Sequence, residues 1–129
     1  MKIIVLAGGL STERDVSLSS AAGLCRTLVE KGHDAFLLDV FMGLENAPEN
    51  LEDVFTLPDH GLEIVKNIST EEPDLEAVKA SRPDQSDCFF GPNVIELCRL
   101  ADITFLGLHG GEGENGKLQA SFDLLGIKY

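Results

Sequence analysis

Two stretches hold residue types that could do chemistry: "GGLSTERDVS" at residues 8–17 and "GLHGGEGENGKLQ" at residues 107–119. The second contains Gly111, Gly113 and Gly116 in the spacing G-x-G-x-x-G. That spacing can mark a turn that cradles a dinucleotide pyrophosphate on a helix N-terminus. Glu112 and Glu114 sit inside it with no base among them, which opposes a phosphate. The first stretch has Gly8 and Gly9 but no third glycine at the dinucleotide spacing and no Walker lysine, and it carries Glu13 and Asp15. The remaining chemistry is a carboxylate at Glu13, an imidazole at His109 and loop amides. A carboxylate can hold an ammonium, and an imidazole or a helix N-terminus can hold a carboxylate, so together they suit a zwitterion such as an amino acid. Each residue also has a plain structural reading, as a helix-entry acid for Glu13 and a strand-end histidine for His109. Residue types alone leave both readings open.

The elements around these loops are those of an α/β fold. "KIIVLA" is a short apolar run that stops at Gly8 and reads as a strand buried on both faces. Leu18, Ala21, Ala22, Cys25, Leu28 and Val29 then recur at helical spacing, with Asp15 or Ser17 as the expected N-cap and Gly32 past the end. "DAFLLDV" is a second buried strand, and strand–helix–strand in about 40 residues makes a βαβ unit with a parallel pair. Asp39 could mimic a ribose-binding acid, but it reads better as a polar residue closing that strand. Residues 41–91 hold Pro48, Pro58, Pro73 and Pro83 and little periodicity. They are expected to form a variable surface insertion, with "LEDVFTL" and "GLEIVKN" as a small hairpin. Next, "GPNVIELCRLAD" suits a helix with Pro92 in its first turn and Val94, Leu97, Cys98 and Ala101 on one face. "DITFLGL" is a third buried strand. "GKLQASFDLLG" is a helix with Leu118, Phe122 and Leu125 inward and Gly126 as its C-cap. "IKY" begins another strand, and so short a run suggests a chain that belongs to a longer polypeptide. The predicted architecture is an open parallel sheet with flanking helices, with both candidate loops beyond the carboxyl ends of strands, where such sheets bind ligands.

The bulk properties narrow the function classes. A length of 129 residues suits one domain with its own core. The net charge of −12 argues against nucleic acid as a partner. Most of the excess is local, because residues 41–90 hold 12 of the 22 acids against only Lys66, Lys79 and Arg82. No apolar run is long enough for a bilayer, and "MKIIVLAGG" is too short in apolar length for a signal peptide, so no membrane association and a cytoplasmic location are expected. Three cysteines without a C-x-x-C fit a reducing compartment, and all three read as packing groups. No set of His, Cys and acids has metal-ligand spacing.

At the two loops the sequence resembles the D-alanine–D-alanine ligases. The matching pieces are "GGLSTERDVSLSSA" and "LGLHGGEGENGKLQASFDLLGIKY". They resemble the family patterns Gly-Gly-x-Ser-x-Glu-x-x-Val-Ser and His-Gly-x-x-Gly-Glu-(Asp/Asn)-Gly-x-(Leu/Ile)-Gln, with Asn115 where many members carry Asp. The resemblance covers most of the chain outside the acidic segment. It implies a Rossmann-like, pre-ATP-grasp N-terminal domain of an enzyme that phosphorylates one D-alanine with ATP and joins it to a second for peptidoglycan. It implies that Glu13 holds the ammonium of the first D-alanine, that His109 lies by its carboxylate and acyl phosphate, and that Val16 lines the methyl pocket. Ser17, Gly9 and Gly110 complete the expected substrate-binding set. ATP and magnesium would be bound by later domains, the full-length protein would be a homodimer, and these 129 residues alone would be inactive. A nucleotide-binding module, or a ligase that uses D-lactate or D-serine as second substrate, is the alternative.

Overall fold

A computed structural model describes residues 1–45, 47–65, 74–82, 88–108 and 116–129. Its centre is a parallel sheet in the order β2-β1-β3, made of β1 (Lys2–Ala7), β2 (Asp34–Asp39) and β3 (Ile103–Leu106). Lys2 pairs with Asp34 and Ala7 with Asp39 on one side of β1, while Ile3 pairs with Ile103 and Leu6 with Leu106 on the other. Successive strand side chains point to opposite faces, so the apolar run of β1 feeds two cores. Ile3, Val5 and Ala7 pack with Leu18, Ala21, Ala22 and Cys25 of α1 (Arg14–Glu30). Of the later helices, α2 is Leu75–Ser81, α3 is Val94–Leu100 and α4 is Lys117–Leu125. Ile4 and Leu6 pack on the other face with Val94 and Leu97 of α3 and Leu118 and Phe122 of α4. The expected open α/β sheet with flanking helices is the fold observed.

Several local expectations are corrected. Helix α1 starts at Arg14, with Glu13 as N-cap and no side-chain cap, rather than at Asp15 or Ser17. A turn at Ser11 sets this start: the Arg14 amide donates to the Ser11 carbonyl at 3.1 Å, and the Glu13 amide to Ser11 Oγ at 3.2 Å. In the acidic segment, "LEDVFTL" and the described part of "GLEIVKN" form short 3-10 helices at Leu51–Thr56 and Leu62–Val65 instead of a hairpin. The adjacent residues Val54 and Phe55 are both buried, which an alternating strand does not permit. Asn50 caps the first of these helices by accepting from the Glu52 amide at 3.2 Å. Helix α3 begins at Val94 rather than Pro92, because Asn93 at its N-cap takes a left-handed φ of 66°.

Strand β3 is not buried on both faces: Thr104 is enclosed, but Ile103 and Phe105 are exposed, Phe105 by 49%. In α4, Leu118 and Phe122 point inward as expected, whereas Leu125 is 36% exposed. The helix ends there in a left-handed Gly126, and the Ile127 amide turns back to the Phe122 carbonyl at 2.9 Å. That closing turn puts Ile127 into the core in place of Leu125. The final "IKY" makes one sheet-like bond, from the Thr104 amide to the Lys128 carbonyl at 2.8 Å, without forming a strand. Cys25 and Cys98 are buried as expected; Cys88 is exposed rather than packed. Burial pushes both buried thiols up to about 11. Among the described residues no helix is long and apolar enough to cross a membrane.

Candidate functional site

The site is built from the exit of β1 outward. Gly8 and Gly9 both have positive φ, 77° and 86°. A side chain at Gly8 would collide with the Asp39 carboxylate, with the nearest carboxyl atoms 2.7 Å from its Cβ. Only glycine lets the backbone pass that close to a neighbouring acid while in a left-handed conformation. The Asp39 carboxylate then gathers the loops after β1 and β2. Its Oδ1 accepts from the amides of Gly9 at 3.4 Å, Phe41 at 3.0 Å and Met42 at 3.2 Å. Its Oδ2 accepts from Arg14 Nη2 at 2.6 Å, and Arg14 Nη1 donates to the Gly9 carbonyl at 2.5 Å. Both side chains are almost fully enclosed.

Ser17 joins this arrangement to the third strand. Its hydroxyl accepts from the Gly8 amide at 3.1 Å and donates to the Gly107 carbonyl at 2.7 Å. Gly107 lies against α1, where an added Cβ would sit 3.3 Å from Ala21 Cβ. The Leu108 side chain reaches the surroundings of Gly9, since a Cβ on Gly9 would lie 3.4 Å from Leu108 Cδ2. The exits of β1 and β3 are therefore adjacent, with Ser17 as the link.

Glu13 sits on the outside of this assembly at the head of α1 and is exposed. Val16 follows at i+3 and is 60% exposed, so both side chains lie at the surface, three residues apart, on the first turn. Among the described residues no cation forms an ion pair with Glu13; the adjacent guanidinium is committed to Asp39. Of the sequence-derived set, Gly9, Glu13, Val16 and Ser17 come together around one loop and one helix start. Ser17 is fully buried and holds the backbone of two strands together, so it shapes the site from beneath. His109 and Gly110 lie outside the described residues, as do Gly111, Glu112, Gly113, Glu114 and Asn115 of the glycine pattern. Gly116 is described as the left-handed N-cap of α4, φ 87°.

Sequence reasoning missed the Arg14–Asp39 pair. From the sequence, Asp39 reads best as a strand-closing residue and Arg14 has no expected role. An acid directly after the four apolar strand residues Ala35, Phe36, Leu37 and Leu38 was the available signal for Asp39, and nothing local marked Arg14 as its partner. For a polyphosphate the first loop is a poor fit: it presents Glu13 and Asp15, and its one cation is tied to Asp39. Among the described residues no three His, Cys or acids cluster as a metal site would need.

Fold and candidate site together define an open parallel α/β domain, with the candidate site where β1 and β3 end and a helix begins. The comparisons give that class its family. The model of the D-ala D-ala ligase N-terminus matches residues 2–129, and the chain belongs to this family. It is 47% identical over 129 residues to a D-alanine–D-alanine ligase of Lacticaseibacillus casei, covering 100% of this chain and 36% of that protein. It is 48% identical over 134 residues to a D-alanine–D-alanine ligase of Pediococcus pentosaceus, again covering all of this chain and 36% of the relative. A ligase of the same name from Halalkalibacterium halodurans is 31% identical over 129 residues, with 27% of its length covered. The chain thus spans about a third of the length of the curated relatives it matches.

Proposed function

We propose that this chain is the first-substrate half-site of an ATP-dependent ligase that joins two D-alanines for peptidoglycan. The observation that carries the reading is the Glu13 carboxylate: exposed at a fixed helix start, with the adjacent arginine drawn away to Asp39. In a chain of this family, such a carboxylate suits the ammonium of the D-alanine whose carboxyl group is to be activated. Val16 beside it offers apolar surface to the methyl group. His109, placed by the sequence at the exit of the third strand, would meet negative charge on the reacting carboxyl.

ATP and magnesium, held by parts of the ligase beyond these residues, would supply the phosphoryl group that activates the first carboxylate. The role of this chain is to bind and orient the amino acid. By itself it has no ligase activity, and the choice of D-alanine over D-lactate or D-serine as second substrate is made elsewhere in the enzyme. A homodimer in the cytoplasm is the setting that this reading entails.

The test is Glu13→Gln in the full-length ligase, assayed for dipeptide formation. The variant keeps the shape of the side chain and loses the charge. The expected result is a fall in kcat/KM on the order of 100-fold, in line with losing a charge-assisted hydrogen bond to substrate. Activity within a factor of two of wild type would contradict the assignment.

A further inference from the structure

Arg14 is the residue after Glu13 at the head of α1, and its side chain does not extend into solvent beside the Glu13 carboxylate. It turns inward, is nearly enclosed, and binds two groups at once: Asp39 Oδ2 at 2.6 Å and the Gly9 carbonyl at 2.5 Å. Asp39 lies 25 residues along the chain at the end of β2 and also fixes the amides of Gly9, Phe41 and Met42. The planar fork of arginine can span the carboxylate and the carbonyl together, which a lysine ammonium on a single point cannot.

We propose that the buried Arg14–Asp39 pair is a positioning device for binding of the first amino acid: it fixes the loop that carries Glu13 and keeps the Arg14 charge away from the Glu13 carboxylate, leaving that carboxylate free for a substrate ammonium. Two effects follow from one contact. The loop after β1 is tied on both sides of Gly9, at its amide through Asp39 and at its carbonyl through Arg14. The positive charge nearest to Glu13 in sequence is neutralised by a different acid. Removing Asp39's charge would release Arg14 to compete with substrate for Glu13. Replacing Arg14 by lysine would loosen the loop while keeping both charges. This inference rests on the first-substrate reading of Glu13.

The experiment is steady-state kinetics of the full-length ligase carrying Arg14→Lys or Asp39→Asn, each also combined with Glu13→Gln. Assays run well below each variant's thermal midpoint, so that only folded enzyme is compared. If the pair acts through Glu13, Arg14→Lys and Asp39→Asn each raise KM for the first D-alanine on the order of tenfold, with kcat changed less and KM for ATP unchanged. In the Glu13→Gln background neither substitution raises that KM further by more than about twofold, because the group they position is already gone. A purely structural role would lower the thermal midpoint and leave the first-substrate KM alone. An unchanged KM in Arg14→Lys, or full additivity with an impaired Glu13→Gln, overturns this inference by itself. A wild-type KM in Glu13→Gln overturns the substrate reading and the inference with it.

Discussion

Side chains in this domain act mainly by what they hold in place. Ser17 was expected from the family patterns to belong to the substrate-binding set, and it is enclosed between Gly8 and Gly107. Ser17→Ala strips a buried amide and a buried carbonyl of their partner, and it should lower unfolding free energy by about 1–3 kcal/mol in urea denaturation. Gly8→Ala should cost more than that, because it combines a left-handed φ with a clash against Asp39. The cysteines give a separate chemical readout. Burial holds the Cys25 and Cys98 thiols protonated up to about 11, so at pH 8 the folded protein should show one fast thiol, the exposed Cys88. All three should react after unfolding. Three fast thiols in the native protein would mean that the α1 and α3 packing is wrong.

The elements were legible where one physical signal dominated. The apolar run Lys2–Ala7 and the periodic face from Leu18 to Val29 required little beyond their own sequence to be placed. Boundaries failed where a hydrogen bond outside the element decided them. The Ser11 turn moved the start of α1, and the closing turn at Gly126 exchanged Leu125 for Ile127 in the core. The acidic segment misled because Val54 and Phe55 are adjacent, a pattern that suits a 3-10 turn pressed onto the sheet. The candidate site was legible in position only, at the exposed Glu13 and Val16. The pair beneath it was not, since a contact between residues 14 and 39 leaves no local pattern. At this scale the α4 face is testable: Phe122→Ala should destabilise by about 3–5 kcal/mol, whereas Leu124→Ala, at a side chain 90% exposed, should stay within about 0.5 kcal/mol.

Across the whole molecule, two cores meet on one sheet and the candidate site lies at the carboxyl end of that sheet. Stability and site therefore share the same short segment, from Ala7 to Ser17. The buried thiols also give stability a pH dependence. Their folded pKa of about 11 lies above the ordinary 9.0, so the unfolded chain releases these protons first as pH rises. Stability should be unaffected by them below about pH 9 and should fall progressively between about 9 and 11, which denaturation series across that range would read directly.

The central claim is a pairing between the Glu13 carboxylate and a substrate ammonium. Its most direct test titrates D-alanine and propionate into the full-length ligase and into its Glu13→Gln variant. Propionate has the same carboxylate and methyl group and lacks the ammonium. The wild-type enzyme should bind D-alanine more tightly than propionate by about tenfold or more, and the variant should bind the two alike. The same preference for D-alanine in both proteins would contradict the account.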